Sequence, residues 1–260
     1  MIDERAIVDS SVVVGDNVSI GPWTIIGPDV VLGDNVQIAS SVVVKGPCHI
    51  GAGVKIYQFA TVGEDTPALA YAGEDSELTI GANTIIREGV TIHRGIAAGG
   101  SSRTAIGANC LLMAYVHVGH DCIVGNNVIM ANNASLAGHV VVGDYANFGG
   151  YAGIPQFRQI GAYTHIAGMS LVTKDVPAFM TVAGNPASAV GLNLEGIKRR
   201  GFSDEAVQAV KAAHRIVYRS GKKLSEAIAE LDESRKEYPE VDVFVKSLES
   251  SDKGIIRGRG

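Results

Sequence analysis

Three of the seven histidines fall within one stretch, AYVHVGHDCIVGNNVIMANNASLAGHVVVG, which sets His117, His120 and His139 close along the chain. Asp121 follows His120, and Gly138 precedes His139. An imidazole near neutral pH can keep a lone pair on one nitrogen while the other donates to a carboxylate that fixes the tautomer. That is the equipment of a general base acting on a hydroxyl. A glycine beside such a base offers an unshielded backbone N–H. Acyl transfer needs a fixed donor of this kind, because charge develops on the oxygen of its tetrahedral intermediate. His120, Asp121 and Gly138 are thus the candidate base, orienting carboxylate and oxyanion donor, provided the fold brings them together. Taken singly, each histidine reads more readily as a hydrogen-bonded corner residue, and it is the cluster that points to function.

The elements that must position these groups come from a repeat. From residue 12 the chain divides into sixes: VVVGDN, VSIGPW, TIIGPD, VVLGDN, VQIASS, VVVKGP, CHIGAG, VKIYQF, ATVGED. The third residue of each is aliphatic. Past two interruptions the position continues through Ile80, Ile86 and Ile92, then runs at every sixth residue from Ile106 to Val172, apolar throughout. A period of six with one inward aliphatic, often followed by glycine, reads as a β-helix of short strands and tight corners, with glycine relieving backbone strain at the corner. Each inward side chain contributes roughly 1.5–3 kcal/mol before conformational entropy is charged against it, so stacking is cooperative.

The repeat resembles that of the hexapeptide acyltransferases, and the resemblance implies three repeats per coil and a left-handed superhelix, against the usual right-handed crossover. Residues eighteen apart then stack at roughly 4.8 Å. Three faces follow, with inward residues Ile106, Val124, Val142 and Ile160 on the first, Leu112, Met130, Phe148 and Ile166 on the second, and Val118, Leu136, Ile154 and Val172 on the third. On this register Gly138 lies one coil above His120 and Gln156 two coils above, while Asp121 lies beneath His139. Both interruptions leave after third-face residues, Val62 and Ile92, and so emerge at one corner beside the histidines.

After KDVPAF the period of six ends. Ser203 followed by Asp204 and Glu205 reads as a helix start, with Ala206, Val207, Val210 and Val217 at helical spacing. Further helices are expected over about 224–236 and 240–250, with Pro239 suited to a first turn, and the tail GIIRGRG is expected to fray. The reading is a mainly β chain: a left-handed parallel β-helix of hexapeptide repeats over 1–185, with loop insertions at about 64–78 and 94–104, followed by a small C-terminal α-helical domain over 186–260.

Composition bounds the function. With 46% hydrophobic and 19% charged residues, the chain has matter for a core and is not globally disordered. A net charge of −5 argues against bulk nucleic-acid binding. Three cysteines, at 48, 110 and 122, lack C-x-x-C spacing and fit a reducing compartment better than a disulfide framework. MIDERAIVDS lacks the apolar core of a signal peptide, and no apolar run approaches a membrane span, so the expectation is a soluble, cytoplasmic protein without an integral membrane segment.

The segments TIHRG, HVGHDCIVGNNVI, NNASLAGHV, KDVPAF and NLEGIKRRGF resemble the UDP-N-acetylglucosamine O-acyltransferases, which open lipid A biosynthesis, and the resemblance covers nearly the whole chain. It implies an acyl-acyl carrier protein:UDP-sugar O-acyltransferase that moves a 3-hydroxyacyl chain from acyl carrier protein to the sugar 3-position, without a further cofactor or metal. His120 would be the base, Asp121 its partner and the Gly138 N–H the oxyanion donor. His117, His139 and Gln156 would line the sugar and phosphate site, and Asn193, Glu195, Arg199 and Arg200 would hold the nucleotide, since arginine forks suit diphosphate oxygens. Lys198, Arg199 and Arg200 also read as a solvated helix end. Gly168 matches the position that limits acyl length, with Met169 beside it, although a glycine there also reads as one more tight corner. The family pattern implies a homotrimer, with the site in the cleft between prisms.

The chain departs from that pattern twice. Pro67-Ala68-Leu69-Ala70-Tyr71 stands where the family has Gln-Asp-Leu-Lys-Tyr, and Pro155-Gln156-Phe157 where it has His-Gln-Phe or His-Gln-Tyr. Keeping the base while losing three polar partners implies unchanged chemistry on an altered acceptor, or weakened binding. Two other readings stand beside the enzyme: a weakly active or non-catalytic paralogue that binds nucleotide sugar or acyl carrier protein, and a γ-carbonic-anhydrase-like zinc enzyme built on His117, His120 and His139.

Overall fold

The computed structural model describes residues 1–97 and 99–258. Short strands recur every six residues and assemble, among the described residues, into three sheets, two of eight strands and one of ten, with consecutive strands entering different sheets and pairing in parallel as far as strand His165–Ile166. Within a sheet the register is eighteen: Leu112 pairs with Met130 and Met130 with Phe148, while Val118 pairs with Leu136 and Leu136 with Ile154. Three repeats therefore close one coil of a left-handed parallel β-helix. The register widens across the insertions, where Ile50 pairs with Ile80 and Ile92 with Val118. Residues 65–76 leave after strand Thr61–Glu64, and a second insertion, described at 94–97 and 99–102, leaves after strand Thr91–His93, both on the third face, as the spacing requires.

Every inward position from Ile20 to Val172 is buried, none more than 3% exposed, whereas Val14 is 40% exposed at the open N-terminal end of the prism. A second inward position, the first residue of the hexad, is also buried in most repeats, with Val12 and Arg158 half-buried. It carries Val36, Val90 and Val128, and all three cysteines, which are free and unpaired. Burial pushes the Cys48 and Cys122 thiols up to about 12. Threonine also fits there, because its hydroxyl bonds the ladder itself: Thr84 donates to the Gly107 carbonyl at 2.9 Å and accepts from Cys110 N–H at 3.1 Å.

The corners correct one expectation. The residues in left-handed backbone are chiefly Asn, Asp and aromatics, such as Asn109, Asn127 and Tyr145 on one corner and Asp121, His139 and Phe157 on another. The glycines that follow the inward aliphatics are needed for a different reason, close approach between coils. A Cβ on Gly143 would lie 2.5 Å from the Ala162 nitrogen.

Strand Met180–Gly184 extends the ten-stranded second-face sheet and turns back through Ala187–Leu192 in an antiparallel hairpin. Five helices follow: α1 (Leu194–Arg199), α2 (Asp204–Arg219), α3 (Leu224–Glu230), α4 (Asp232–Glu237) and α5 (Pro239–Glu249). Ser203 caps α2, its Oγ accepting from Ala206 N–H, and Pro239 occupies the first turn of α5. The helix expected over 224–236 is interrupted at Leu231, a buried residue that belongs to a second core with Phe179, Val210, Val217, Phe244 and Leu248. The expectation of a frayed tail is corrected for 254–258, while 259–260 lie outside the described residues. Ile255 bridges to Asp175, Ile256 N–H donates to the Asp175 carbonyl at 2.8 Å, and both isoleucines are buried. Apolar side chains at the chain's end give the segment burial enough to offset its entropy. No described helix is long and apolar enough to cross a membrane.

Candidate active site

Strand His117–Val118 ends at the corner between the third and first faces, and the chain turns there through His120 and Asp121. His120 is 8% exposed and its Nδ1 lies 2.9 Å from Asp121 Oδ2. Asp121 is buried, sits at φ 57° and anchors its N–H on Thr104 Oγ1 at 2.8 Å. Its carboxylate collects four bonds. Oδ2 accepts from the Ile96 N–H at 3.0 Å as well as from His120, and Oδ1 accepts from the N–H and hydroxyl of Ser101 at 2.7 and 3.2 Å. Burial works to raise its pKa, but the bonds from His120, Ile96 and Ser101 outweigh burial and hold the carboxyl below the ordinary carboxylate range.

Gly138 stacks one coil above, as the register predicts. An ideal Cβ there would lie 2.5 Å from His120 Cε1 and Nε2, so only glycine leaves room for the ring. The Gly138 N–H has no acceptor among the described residues, while the neighbouring His139 N–H is taken by the His120 carbonyl. The His139 ring meets His120 edge-on at 4.8 Å and stacks on Phe157 at 4.5 Å. His117 bonds through Nδ1 to Thr91 Oγ1 at 2.8 Å. Burial, aided by the neighbouring His93 and His120, lowers its pKa to about 4, so it is neutral at neutral pH. Gln156 is exposed on the same corner, beyond Gly138.

The insertions close around this corner. Arg94, buried, donates to the carbonyls of Gly46 and Gly63 and to Asp65. The Tyr71 hydroxyl donates to Asp65 at 3.1 Å, and Glu74 accepts from Ala97 N–H at 2.9 Å, tying one insertion to the other. Ile96, Ser101, Thr104 and Arg94 escaped the reading of site residues, because each acts through a backbone group or a partner far away in sequence. TIHRG was the one local signal of Arg94. In the departing segment Leu69 is fully exposed.

The remaining candidates lie elsewhere. Asn193 caps α1, its Oδ1 accepting from Gly196 N–H and its Nδ2 donating to the Tyr163 carbonyl. Glu195 pairs with Arg199 at 3.0 Å, and the Arg200 guanidinium lies over the Tyr145 ring at 4.4 Å. These four line a groove of about 310 Å³ beside the corner between the first and second faces. Lys198, Arg199 and Arg200 do end a short helix, and Lys198 does not line the groove. Gly168 and Met169 occupy the third corner, between the second and third faces, where Met169 is 71% exposed and a Cβ on Gly168 would lie 3.2 Å from the Gly150 carbonyl. One chain therefore brings together His117, His120, Asp121, Gly138 and His139, and leaves the groove and the Gly168 corner apart from them.

His120, Asp121 and His139 also place a ligand atom each within 4.8 Å of one another. A carboxylate has about four lone-pair sites, and all four of Asp121's are used. Two of those four donors are backbone N–H groups, from Ile96 and Ser101.

The family described as UDP N-acetylglucosamine O-acyltransferase, domain 2, matches residues 175–256, and bacterial transferase hexapeptide repeats match 11–46, 29–64 and 103–138. The acyl-[acyl-carrier-protein]–UDP-N-acetylglucosamine O-acyltransferase of Stutzerimonas stutzeri is 51% identical over 99% of both chains, and that of Pseudomonas savastanoi is 49% identical over 99% of both. Among solved structures, LpxA from Acinetobacter baumannii superposes with a TM-score of 0.95 at 44% identity, covering 98% of this chain and 99% of that one. The Moraxella catarrhalis enzyme gives 0.96 at 40% identity over the same shares. Identity at this level, from end to end and with the repeats in register, makes the chain a member of the UDP-N-acetylglucosamine O-acyltransferase family.

Proposed function

We propose that the protein transfers a 3-hydroxyacyl chain from acyl carrier protein to the 3-position of UDP-N-acetylglucosamine or a closely related UDP-amino sugar, in the cytoplasm, using its own side chains and backbone without a cofactor. The observation that carries this is the His120–Asp121 pair lying against an unengaged Gly138 N–H. With Asp121 ionised, His120 Nδ1–H donates to it and Nε2 keeps a lone pair. Nε2 takes the proton of the sugar 3-hydroxyl as the oxygen forms a bond to the thioester carbon. The carbonyl electrons move to oxygen, where the Gly138 N–H meets the charge. Collapse of the intermediate breaks the carbon–sulfur bond, and the imidazolium returns its proton to the leaving thiolate. His117, His139 and Gln156 line the sugar and phosphates, with His117 serving as a neutral polar group.

Asn193, Glu195, Arg199 and Arg200 hold the nucleotide, and their separation from His120 within one chain supports a homotrimer in which the groove of one prism faces the histidine corner of the next. Exposed Trp23, Phe59, Tyr115, Tyr151 and Met169, on one corner, are apolar surface suited to such contacts. Lys198, Arg199 and Arg200 would attract an acidic carrier protein. Gly168 leaves space for a longer acyl chain, with Met169 at its edge. The segment Pro67–Tyr71 and Pro155 support a changed acceptor or weaker binding with the same chemistry.

Turnover of UDP-N-acetylglucosamine and its 3-amino analogue, measured for the wild type and for His120→Ala, tests the reading. Transfer to either acceptor that disappears in the variant supports it, and transfer that survives in the variant refutes His120 as base. Full efficiency on UDP-N-acetylglucosamine with none on the amino analogue removes the altered acceptor.

A further inference from the structure

The floor of the groove beside α1 carries two polar side chains that no step above uses. Asn147 and His165 are register partners on adjacent strands of the second-face sheet, both pointing outward into the groove. The next outward position below them is Ile129, which also lines the groove and gives its floor an apolar end. His165 Nδ1 lies 3.2 Å from Asn147 Oδ1. An amide oxygen only accepts, so Nδ1 carries the proton and Nε2 of the neutral ring is an acceptor, while the Asn147 amide nitrogen has two N–H donors. Neither His165 Nε2 nor Asn147 Nδ2 has a protein partner among the described residues, and neither is sealed from solvent.

One donor beside one acceptor, fixed to each other and to a rigid sheet, is a template for a ligand edge of the opposite pattern. The groove already offers guanidinium groups at Arg199 and Arg200, and a wall of stacked rings from Tyr145 and Tyr163, 5.0 Å apart. The imide edge of uracil presents an N–H donor between two carbonyl acceptors. Its N3–H fits His165 Nε2, and the C4 carbonyl fits the Asn147 amide. Cytosine reverses both groups at this edge, setting a ring nitrogen lone pair against Nε2 and an amino group against the amide N–H. We infer that Asn147 and His165 together read the base of the bound nucleotide and select uracil over cytosine. This rests on the nucleotide-sugar reading and extends it to two specificity residues.

Calorimetric titration of the full-length protein with UDP and with CDP tests it. The wild type is expected to bind UDP at least about tenfold more tightly than CDP, the discrimination usual for a paired base-edge contact. His165→Ala and Asn147→Ala should each weaken UDP binding by about five- to tenfold and leave CDP within about twofold, which also reports that the fold is intact. His165→Gln, whose amide oxygen can replace Nε2 as acceptor, should recover most of the preference. Variants that lower UDP and CDP binding equally, or leave their ratio at the wild-type value, overturn the inference and leave the nucleotide-sugar reading standing. A wild type that binds neither nucleotide overturns both.

Discussion

Asp121→Asn separates the two duties of the carboxylate beside His120. The four donors that converge on Asp121 come in pairs, Ile96 N–H with His120 Nδ1 on one oxygen and the Ser101 N–H and hydroxyl on the other. An asparagine has one oxygen to offer. If its amide nitrogen faces His120, the ring must accept at Nδ1, which moves the ring proton to Nε2 and removes the base. If the nitrogen faces Ser101, the tautomer survives but a backbone N–H confronts an N–H, and an unmet buried donor costs about 1–3 kcal/mol. In both placements the charge that stabilises the imidazolium is gone. The expected result is a fall in kcat of about 10²–10⁴, with KM for the nucleotide sugar within about threefold. Melting should drop by about 2–12 °C, given about 2–4 °C per kcal/mol for a chain of this size. Steady-state turnover with acyl carrier protein thioester, paired with calorimetric melting, reads both. The acid limb gives an independent check. Because the native carboxyl titrates below its unfolded value of 3.8, its stabilising contribution is complete at pH values above 3.8 and disappears as pH falls through the native pKa. The variant should therefore lose less stability than the wild type on going from neutral pH to below that range. A variant with kcat within threefold of wild type would refute the assignment of Asp121 as the group that orients the base.

Gly138→Ala should push the imidazole from its seat, since the added carbon would lie 2.5 Å from Nε2; we expect kcat to fall about 10²-fold or more with the fold kept by circular dichroism, and unchanged kcat would deny the close stacking. His117 should titrate near 4 by NMR, and because burial favours its neutral form, its protonation costs native stability progressively as pH falls from 6.5 towards 4; a midpoint near 6.5 would show that the ring is open to water. Cys48 and Cys122, with thiols raised to about 12, should resist a thiol reagent at pH 8 until the protein is unfolded, and labelling of the native fold would contradict their inward position. Ile256→Ala should cost about 2–4 kcal/mol in thermal unfolding, whereas a loss under 0.5 kcal/mol would return the tail to the frayed state expected from its glycines and arginines.

How far the site could be read depended on the distance over which each partner acts. His120, Asp121 and Gly138 were legible because one is adjacent in sequence and the other is one coil away in a strict register, so counting placed them once the family resemblance supplied three repeats per coil. Gln156 and His139 followed by the same count. Ile96 and Ser101 were not legible, since they contribute N–H groups that every residue owns and reach Asp121 only because an irregular insertion folds back over the corner. The cysteines gave no hint of their place until the second inward position appeared, for that position accepts Val, Ala, Thr and Cys alike and so leaves a weak pattern.

The order of residues thus determined which side chains enter the prism, where the coils break and which side chains meet at the histidine corner, since burial of the same positions in every six is local and repeated at every turn. Tertiary structure alone decided that the second insertion folds back onto the Asp121 carboxylate, that the nucleotide candidates stand on a different corner from His120, and that Ile255 and Ile256 are bound down against Asp175. Those outcomes depend on single, non-repeated contacts between distant segments, and no periodicity reports a contact made only once.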